Sequence, residues 1–470
     1  MKTVKGIKSL IGTRDFYRKV FFIAIPIMIQ NFITNFVAML DNIMVGQIGT
    51  DQMSGVAIVN QLIFVFNISM FGAVSGAGIF GAQFYGKGDN EGVKYAFRFK
   101  IFTSVVITVG AILLFSQAGE NLISLYLHEG SDVGDIEATM GYAKDYLKII
   151  IVSLIPAAIG QVYASTLREC GKTVPPMIAG VIAVVINTSF NYIFIFGKFG
   201  APKLGVDGAA IATCIARVLE CIILVVWAGR HKKDSCQYFD GALRSLKIPG
   251  KLAGQMFVKG TPLMLNEFFW SVGMTVTLQC YAYRGLAIVA AQNISSTMVN
   301  LFNVVLITLG NSVAIIIGQL LGAGELERAK QEDKQLVAFS VALCAVIGGI
   351  MACFAGAFPQ IYNTEPEVRE LATRFILVSS VMMPFHAFTN AAYFTLRSGG
   401  KTGITFLFDS VYTWAMVIPV AFFVSRYTAL DIVKVYIVVQ SLDIVKTIIG
   451  FILVKKGVWI NNLAIATKEE

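Results

Sequence analysis

One motif occurs twice in the chain, and this duplication limits the possible folds more than any other feature of the sequence. The first copy occupies residues 81–94 and the second occupies residues 317–330, each with a glutamine, two closely spaced glycines and charged residues in the same register. The same offset places Pro26 on Pro262, well upstream of the motif. A single Gly-x-Gly would be a weak signal, but a register shared over this distance predicts two copies of one unit.

A second motif supports the duplication further along the chain. Residues 167–173 read Leu-Arg-Glu-Cys-Gly-Lys-Thr, and residues 396–402 read Leu-Arg-Ser-Gly-Gly-Lys-Thr. The offset between these copies differs by a few residues from that of the first motif, as changes in loop length would produce. This second pair of segments therefore also indicates two copies of one unit.

The composition predicts that lipid forms part of the solvent of this protein. Hydrophobic residues make up 56% of the 470 residues and charged residues only 14%, whereas soluble domains have about 25% charged residues. Residues 173–197 and 285–324 contain no charged side chain, and about 20 apolar residues suffice for a helix to cross a bilayer. We therefore predict an all-α integral membrane protein with about twelve transmembrane helices in a lipid bilayer.

The distribution of positive charge predicts how these helices are oriented. The formal net charge is +9, but the basic residues concentrate in alternate gaps between spans, so we expect no nucleic-acid partner. Because positively charged loops stay in the cytoplasm, both termini are predicted to lie on the cytoplasmic side of the plasma membrane. An even number of spans per copy gives two parallel six-helix repeats. We predict an N-lobe over residues 1–230, a basic cytoplasmic linker over 231–258 and a C-lobe over 259–470.

Three carboxyl groups lie well inside predicted spans without a basic residue at helical spacing. They belong to Asp41, Glu267 and Asp409. Charged groups within a membrane are costly and mark functional sites. A buried carboxyl without a partner tends to bind a proton, so these groups can exchange protons or attract a cation. For Asp41 the alternative is a structural role as a helix cap near the glycines that follow it.

Two further acids have a basic neighbour on the same predicted helix. Arg217 precedes Glu220 by three residues, and Lys446 follows Asp443 by three residues. Side chains three residues apart are neighbours on a helix surface. We therefore expect these two pairs to be structural ion pairs.

Uncharged polar residues also recur at helical spacing inside the predicted spans. Spacings of three, four and seven residues place them on one helix face, where they line a polar cavity or form the interhelical hydrogen bonds common in membrane bundles. Aromatic side chains beside Glu267 would suit flat organic cations. The residues predicted to line a substrate cleft are Gln30, Asn35, Phe268, Trp270, Asn293 and Asn300.

The sequence gives no support for enzyme chemistry. It contains no HExxH, GxSxG or P-loop motif. The seven cysteines are scattered and form no CxxC pair, which argues against a structural metal site. We predict a protein that is not an enzyme and has no resident cofactor or metal, apart from transient binding of sodium at Asp41.

The order of these motifs resembles the multidrug and toxic compound extrusion (MATE) family. The resemblance rests on the repeated motifs above and on three further segments: Leu-Asp-Asn-Ile-Met-Val-Gly at 40–46, Asn-Thr-Ser-Phe-Asn at 187–191, and Gly-Val-Asp-Gly-Ala-Ala-Ile-Ala-Thr at 205–213. It covers nearly the whole chain and leans toward the DinF-like branch. It implies the fold of the multidrug/oligosaccharidyl-lipid/polysaccharide flippase superfamily, with two six-helix lobes around a central cleft.

The resemblance also implies a site for the coupling ion in each lobe. In the N-lobe, Asp41, Asn187 and Thr213 match the family's cation site, whereas Asn191 stands where the family usually has an aspartate. In the C-lobe, two acids lie where some branches of the family place theirs. The predicted C-lobe coupling residues are Glu267 and Asp409.

The activity implied by the resemblance is export of small organic cations and drugs by antiport against protons or sodium. Alternating access of the cleft would need a single chain, so we expect a monomer. A flippase for lipid-linked oligosaccharides on the same fold is the alternative, although such proteins tend to have cationic clefts and the intramembrane charges here are mainly acidic. A membrane-embedded enzyme or a scaffold is disfavoured by the missing catalytic motifs and by the acids in both halves.

Overall fold

The structure, a computed structural model, describes residues 10–127, 135–362 and 364–466. Its helices, numbered in chain order, are α1 (Arg14–Gly46), α2 (Thr50–Lys87), α3 (Asn90–Ser124), α4 (Ile136–Ile150), α5 (Leu154–Glu169), α6 (Val174–Phe196), α7 (Val206–His231), α8 (Gly250–Ala282), α9 (Leu286–Ala323), α10 (Leu326–Phe354), α11 (Pro366–Ser398), α12 (Thr402–Phe406), α13 (Ile418–Tyr427), α14 (Ile432–Lys455) and α15 (Leu463–Ala466). The described residues contain no strand. The extreme termini, which the charge pattern predicts to be cytoplasmic, lie outside these residues.

The predicted membrane class is confirmed by the lengths and composition of the helices. Eleven helical segments of the described chain are long and apolar enough to cross a membrane, with α4 and α5 together forming one of them. Helix α8 is also long, at 33 residues, but is not among the eleven. Its apolarity is lowered by Asn266, Glu267 and Gln279, so the helix that departs from the membrane pattern carries candidate site residues.

The chain divides into two compact units. The unit that we call the N-terminal unit consists of residues 29–81 and 90–257, and the C-terminal unit consists of residues 1–28, 82–89 and 258–470. The start of α1 and the end of α2 thus belong to the unit built from the second half of the chain. The predicted lobe boundaries at residues 230 and 259 stay a prediction.

In the N-terminal unit, the segment predicted as a basic linker packs against helices. The Arg98 side chain on α3 donates hydrogen bonds to the carbonyl oxygens of Ala242 at 2.7 Å and Lys247 at 3.1 Å. Phe239 contacts the rings of Phe97 and Tyr163, with centroids 5.1 and 5.2 Å away. The segment predicted as a linker therefore packs on α3 and α5 of the N-terminal unit.

The N-terminal unit also contains a buried ion pair between helices. Lys100 on α3, which is fully buried, lies 2.5 Å from the carboxylate of Glu169 on α5. A Cβ atom on Gly78 or Gly81 would lie about 2.5 Å from the same carboxylate. The two glycines on α2 thus leave room for the carboxylate in this position.

In the C-terminal unit, the duplicated motifs pack against each other. A Cβ atom on Gly86 would lie 1.9 Å from the carbonyl oxygen of Gln319, and a Cβ atom on Gly322 would lie 1.9 Å from the carbonyl oxygen of Gln83. The ends of α2 and α9 therefore cross backbone against backbone, and only glycine fits at either position. The two copies of the sequence motif thus supply the two sides of this reciprocal contact.

The end of the chain covers this crossing. The fully buried Gln83 side chain donates to the carbonyl oxygens of Ser398 at 2.9 Å and Asn461 at 3.3 Å, and it accepts from the Leu463 amide at 2.7 Å. Lys87 donates to the Ala464 carbonyl at 2.7 Å. Residues 461–464 thus hold the last turn of α2 inside the C-terminal unit.

Candidate functional site

The N-terminal unit brings together the four predicted coupling residues of the first half of the chain, which we call the N-terminal cluster. Asp41 lies on α1, Asn187 and Asn191 lie one turn apart on α6, and Thr213 lies on α7. Both asparagines are buried. Their spacing of four residues places the two amides on the same face of α6, and that face meets the carboxylate.

Neutral side chains supply the hydrogen bonds of Asp41 in the described part of the chain. The Asn191 amide donates to Asp41 Oδ1 at 2.7 Å. With the Asn187 amide turned so that its nitrogen faces the carboxylate, the nitrogen lies 2.9 Å from Asp41 Oδ2 and the amide oxygen lies 3.2 Å from the Thr213 hydroxyl. The cluster therefore holds one negative charge on a chain of amides and a hydroxyl.

Among the described residues, one polar atom of this cluster has no hydrogen-bond partner. The amide oxygen of Asn191 is buried without a donor from this part of the chain, although most buried polar groups in proteins are satisfied. An unpaired acceptor next to a carboxylate is suited to a bound cation or to a group that donates a proton, because oxygen atoms are the ligands that hard cations prefer.

The C-terminal unit holds a second group of polar residues, which we call the C-terminal cluster. It consists of Asn266 and Glu267 on α8, Tyr393 on α11, Asp409 after α12, and Lys446 on α14. Asn266 and Tyr393 are buried. Glu267 and Asp409, the two predicted coupling residues of this half, are partly buried.

Asn266 links the two carboxylates of the C-terminal cluster. Its amide nitrogen lies 3.0 Å from Asp409 Oδ2 and 3.3 Å from the Tyr393 hydroxyl, and that hydroxyl donates to Glu267 Oε1 at 3.3 Å. Its amide oxygen accepts from the Ser410 hydroxyl at 2.7 Å. The two carboxylates therefore share one hydrogen-bond network that runs through Asn266 and Tyr393.

Asp409 lies in a stretch of wider helix. Residues Leu407–Val411 and Thr413–Val417 form π-helical turns between α12 and α13. Such turns are rare and are frequent at functional sites, because an extra residue per turn changes the direction in which the following side chains point. Here they place Ser410 and Asp409 against Asn266 on the neighbouring helix.

The structure corrects one of the two predicted ion pairs. Arg217 and Glu220 do form their pair, at 2.9 Å. Lys446, expected to pair with Asp443, instead lies 2.6 Å from Asp409 Oδ1, so the expectation for Lys446 is wrong. Asp443 lies 2.8 Å from His386 Nε2 on α11. Helical spacing identified the nearest charge along the sequence, but packing of α14 against the π-helical turns brings Lys446 to a different carboxylate.

The residues predicted to line a cleft have different surroundings. Gln30 accepts a hydrogen bond from Arg168 at 3.4 Å within the N-terminal unit. Phe268 and Trp270 flank Glu267 on α8 and are 50% and 42% exposed, so aromatic surface is available next to the carboxylate. Asn35, Asn293 and Asn300 are exposed side chains, and their place in a cleft stays a prediction.

Three members of the C-terminal cluster were not predicted from the sequence, or were predicted with a different partner. Asn266 is adjacent to Glu267 and could have been found from that position alone. Lys446 was assigned to another partner, and Tyr393 carries no sequence signal, since it is one aromatic residue among many. In the described part of the chain, no three side chains of histidine, cysteine, aspartate or glutamate converge as they would around a metal ion.

Comparison with known proteins matches both halves of the chain to one family. The family model MatE matches residues 26–193 and, a second time, residues 262–423. The probable multidrug resistance protein NorM of Thermotoga maritima is 25% identical, with 95% of this chain and 94% of that protein covered. The probable multidrug resistance protein YoeA of Bacillus subtilis is 24% identical, with 90% and 89% covered.

Solved structures show the same fold. A crystal structure of MATE in complex with MaL6 has a TM-score of 0.84 and 18% identity, covering 99% of this chain and 100% of that chain. A crystal structure of the Vibrio cholerae MATE transporter VcmN in the bent form has a TM-score of 0.82 and 18% identity, covering 96% and 98%. The two family matches begin at Pro26 and Pro262, the pair aligned by the repeat offset, so the duplication is confirmed.

Proposed function

The chain belongs to the MatE family of multidrug transporters, and from that premise we propose that it exports organic cations by antiport against protons or sodium. It is a multi-pass membrane transporter and not an enzyme. The observation that supports cation antiport most directly is Asp41, a carboxylate whose hydrogen bonds come from neutral amides.

The N-terminal cluster is suited to bind one proton or one sodium ion at a time. Asp41 supplies a single negative charge, which the amide nitrogens of Asn187 and Asn191 hydrogen-bond. The amide oxygen of Asn191 and the Thr213 hydroxyl are neutral oxygen atoms of the same cluster. In low dielectric surroundings a lone carboxylate favours either protonation or a bound cation. The asparagine at 191, where the family usually has aspartate, limits the cluster to that one charge.

The C-terminal cluster is suited to attract an organic cation. Glu267 accepts from the Tyr393 hydroxyl, and the exposed rings of Phe268 and Trp270 lie on the same helix. Aromatic faces and a carboxylate together attract flat cations through cation–π contact and charge. This combination supports a substrate with a delocalised positive charge.

Coupling follows when the two ligands compete for negative charge. A proton or sodium ion entering from outside neutralises a carboxylate, and the organic cation then loses its electrostatic partner and leaves. The membrane potential supplies about 2.3 kcal/mol per charge per 100 mV, which is enough to drive efflux against a gradient. Alternating access of the two lobes would carry this exchange across the membrane.

We propose that both termini lie on the cytoplasmic side of the plasma membrane. The concentration of basic residues in alternate gaps between spans supports this orientation. We assign the chain to the DinF-like branch and to a monomeric state. Both assignments rest on the resemblance of the sequence motifs and on the presence of both repeats in one chain.

A lipid-linked oligosaccharide flippase on the same fold remains the second candidate. It would need unpaired cations for a pyrophosphate group. Two lysines of the membrane helices, the buried Lys100 and the mostly buried Lys446, are instead paired with Glu169 and Asp409, respectively. Their pairing favours the cation exporter.

The test is efflux of a fluorescent organic cation from proteoliposomes under a pH gradient or a sodium gradient, imposed separately. We expect one of the gradients to drive efflux and Asp41→Asn to abolish it. Asp145→Asn is the matched control, because it makes the same substitution at an exposed ion pair with Lys148. Efflux that is unchanged in Asp41→Asn would remove this residue from the coupling site, and no efflux of any cation would favour the flippase.

A further inference from the structure

The C-terminal cluster contains its own cation. The Lys446 ammonium lies 2.6 Å from Asp409 Oδ1, on the side of the carboxylate opposite to Asn266, which bonds the other oxygen at 3.0 Å. Asp409 therefore has both oxygens occupied, one by an amide and one by a full positive charge. Glu267, in contrast, accepts a hydrogen bond from the neutral Tyr393.

The pair is partly open to its surroundings. The Lys446 side chain is 13% exposed and that of Asp409 is 17% exposed. Lys446 also lies over the ring of Phe408, with its ammonium 5.3 Å from the centroid. An ammonium held by a carboxylate and an aromatic face has the chemistry of a bound organic cation.

Three carboxyl groups and two basic groups lie in and around the pair. The carboxyl groups are those of Glu267, Asp409 and Asp443, and the basic groups are those of Lys446 and Arg397. His386 lies 2.8 Å from Asp443. Replacing Lys446 by a neutral residue makes the charge of this group more negative by one. Tyr393 and Tyr412 contribute hydroxyl groups and no charge.

We propose that Lys446 is a specificity-determining residue of the C-terminal cluster. Its ammonium occupies Asp409 as a tethered cation, so that the cluster accepts organic monocations through Glu267 and disfavours dications. This inference rests on the proposed export of organic cations, and it names the charge class of the substrate. Removing Lys446 frees Asp409 and opens the cluster to a second positive charge.

The test compares ethidium, a monocation, with propidium, the same ring system with an added quaternary ammonium. Equilibrium binding to the purified full chain in detergent is measured at one fixed pH that is the same for every variant. We expect the wild type to bind ethidium more tightly than propidium. In Lys446→Met we expect the ratio of the two dissociation constants to shift toward propidium by about tenfold.

Two variants control for charge and packing. Lys446→Arg keeps the positive charge and is expected to keep the wild-type preference. The double variant Asp409→Asn with Lys446→Met removes both charges and restores the net charge of the cluster, so its preference should return toward that of the wild type. An unchanged ratio in Lys446→Met would overturn the inference.

A further variant covers the case in which Lys446→Met does not fold. Asp409→Asn leaves Lys446 without its carboxylate, and we expect binding of both dyes to weaken, with propidium losing more. Equal affinities in this variant and the wild type would also overturn the inference. Failure of the wild type to bind either dye would instead contradict the proposed function, and Glu267→Gln shows whether ethidium binding depends on this cluster.

Discussion

The two polar clusters differ in how their carboxylates are compensated. In the N-terminal cluster, Asp41 is surrounded by amides and a hydroxyl. In the C-terminal cluster, Asp409 is paired with Lys446, and Glu267 is left with a tyrosine hydroxyl. A carboxylate with neutral donors can gain or lose a small cation, whereas one held by a lysine is already neutralised. Two halves of the chain with the same repeat therefore need not contain equivalent polar sites.

The repeat register shows that the clusters also occupy non-equivalent positions. The offset that aligns Pro26 with Pro262 places Gln30 on Asn266 and Asn31 on Glu267. The offset of the second motif places Gly180 on Asp409. A Cβ atom on Gly180 would lie 2.8 Å from the Gln30 amide, just as Asp409 contacts Asn266 in the other half. The two positions thus lie close together in both halves, while the carboxyl groups are present in the second half alone.

The glycines of the duplicated motif, in contrast, make equivalent contacts in the two halves of the chain. Gly86 and Gly322 both allow a backbone carbonyl of the other motif to approach. A side chain at either position would collide with backbone, so substitution is sterically excluded in both copies. Packing constraints therefore keep the repeats alike, and the clusters, which are free of that constraint, have diverged.

The largest effect is expected from removing the charge of the N-terminal cluster. Asp41→Asn leaves the cluster without a titratable group, so gradient-driven efflux should be abolished. Efflux from proteoliposomes measures this, and size-exclusion chromatography checks folding. If efflux in the variant still follows the gradient, the coupling role belongs to the C-terminal cluster.

The next largest effect should come from breaking the ion pair of the C-terminal cluster. Asp409→Asn leaves the mostly buried Lys446 without its partner, which we expect to lower the free energy of unfolding by about 3 kcal/mol. Thermal unfolding in detergent measures the loss. Adding Lys446→Met to the same chain should recover most of it, because no uncompensated charge remains. Equal stability of the single variant and the wild type would show that the pair is not formed in the membrane protein.

A substitution in the N-terminal cluster can make the two clusters more alike. Asn191→Asp puts a second carboxylate beside Asp41, where the present amide lies 2.7 Å from Oδ1. Two carboxylates at that distance share a proton, so proton uptake by the purified protein between about pH 8 and pH 5 should rise by roughly one per molecule. Asn35→Asp on the exposed face of α1 is the matched control, and equal uptake in both variants would contradict the expectation.

The smallest effect is expected at the hydroxyl that joins the carboxylates of the C-terminal cluster. Tyr393→Phe keeps the buried ring and removes the hydrogen bonds with Glu267 and Asn266, which should cost about 1 kcal/mol in stability. Differential scanning measurements of thermal unfolding, with Tyr427→Phe at an exposed position as control, test this. A change as large as that of Asp409→Asn would mean that the hydroxyl, and not the ion pair, organises the cluster.

The sequence by itself determined the class of the protein, the duplication and most of the N-terminal cluster. Apolar length fixes which segments can cross a bilayer, because the cost of burying polar groups in lipid leaves few alternatives. The four N-terminal residues, Asp41, Asn187, Asn191 and Thr213, were found because their motifs resemble those of a known family. Helix α8 was also identified, although its polar residues make it less apolar than the other spans.

Only the tertiary structure decided which charged side chains form ion pairs with each other. Helical spacing reports neighbours within one helix, and it therefore placed Lys446 with Asp443. The partner that Lys446 has in the structure, Asp409, lies 37 residues away on a different helix, in π-helical turns that no spacing rule indicates. Attraction between charges is strong at a few ångströms and depends on the exact neighbours in low dielectric surroundings, so the pairing follows from how the helices pack and not from their order in the sequence.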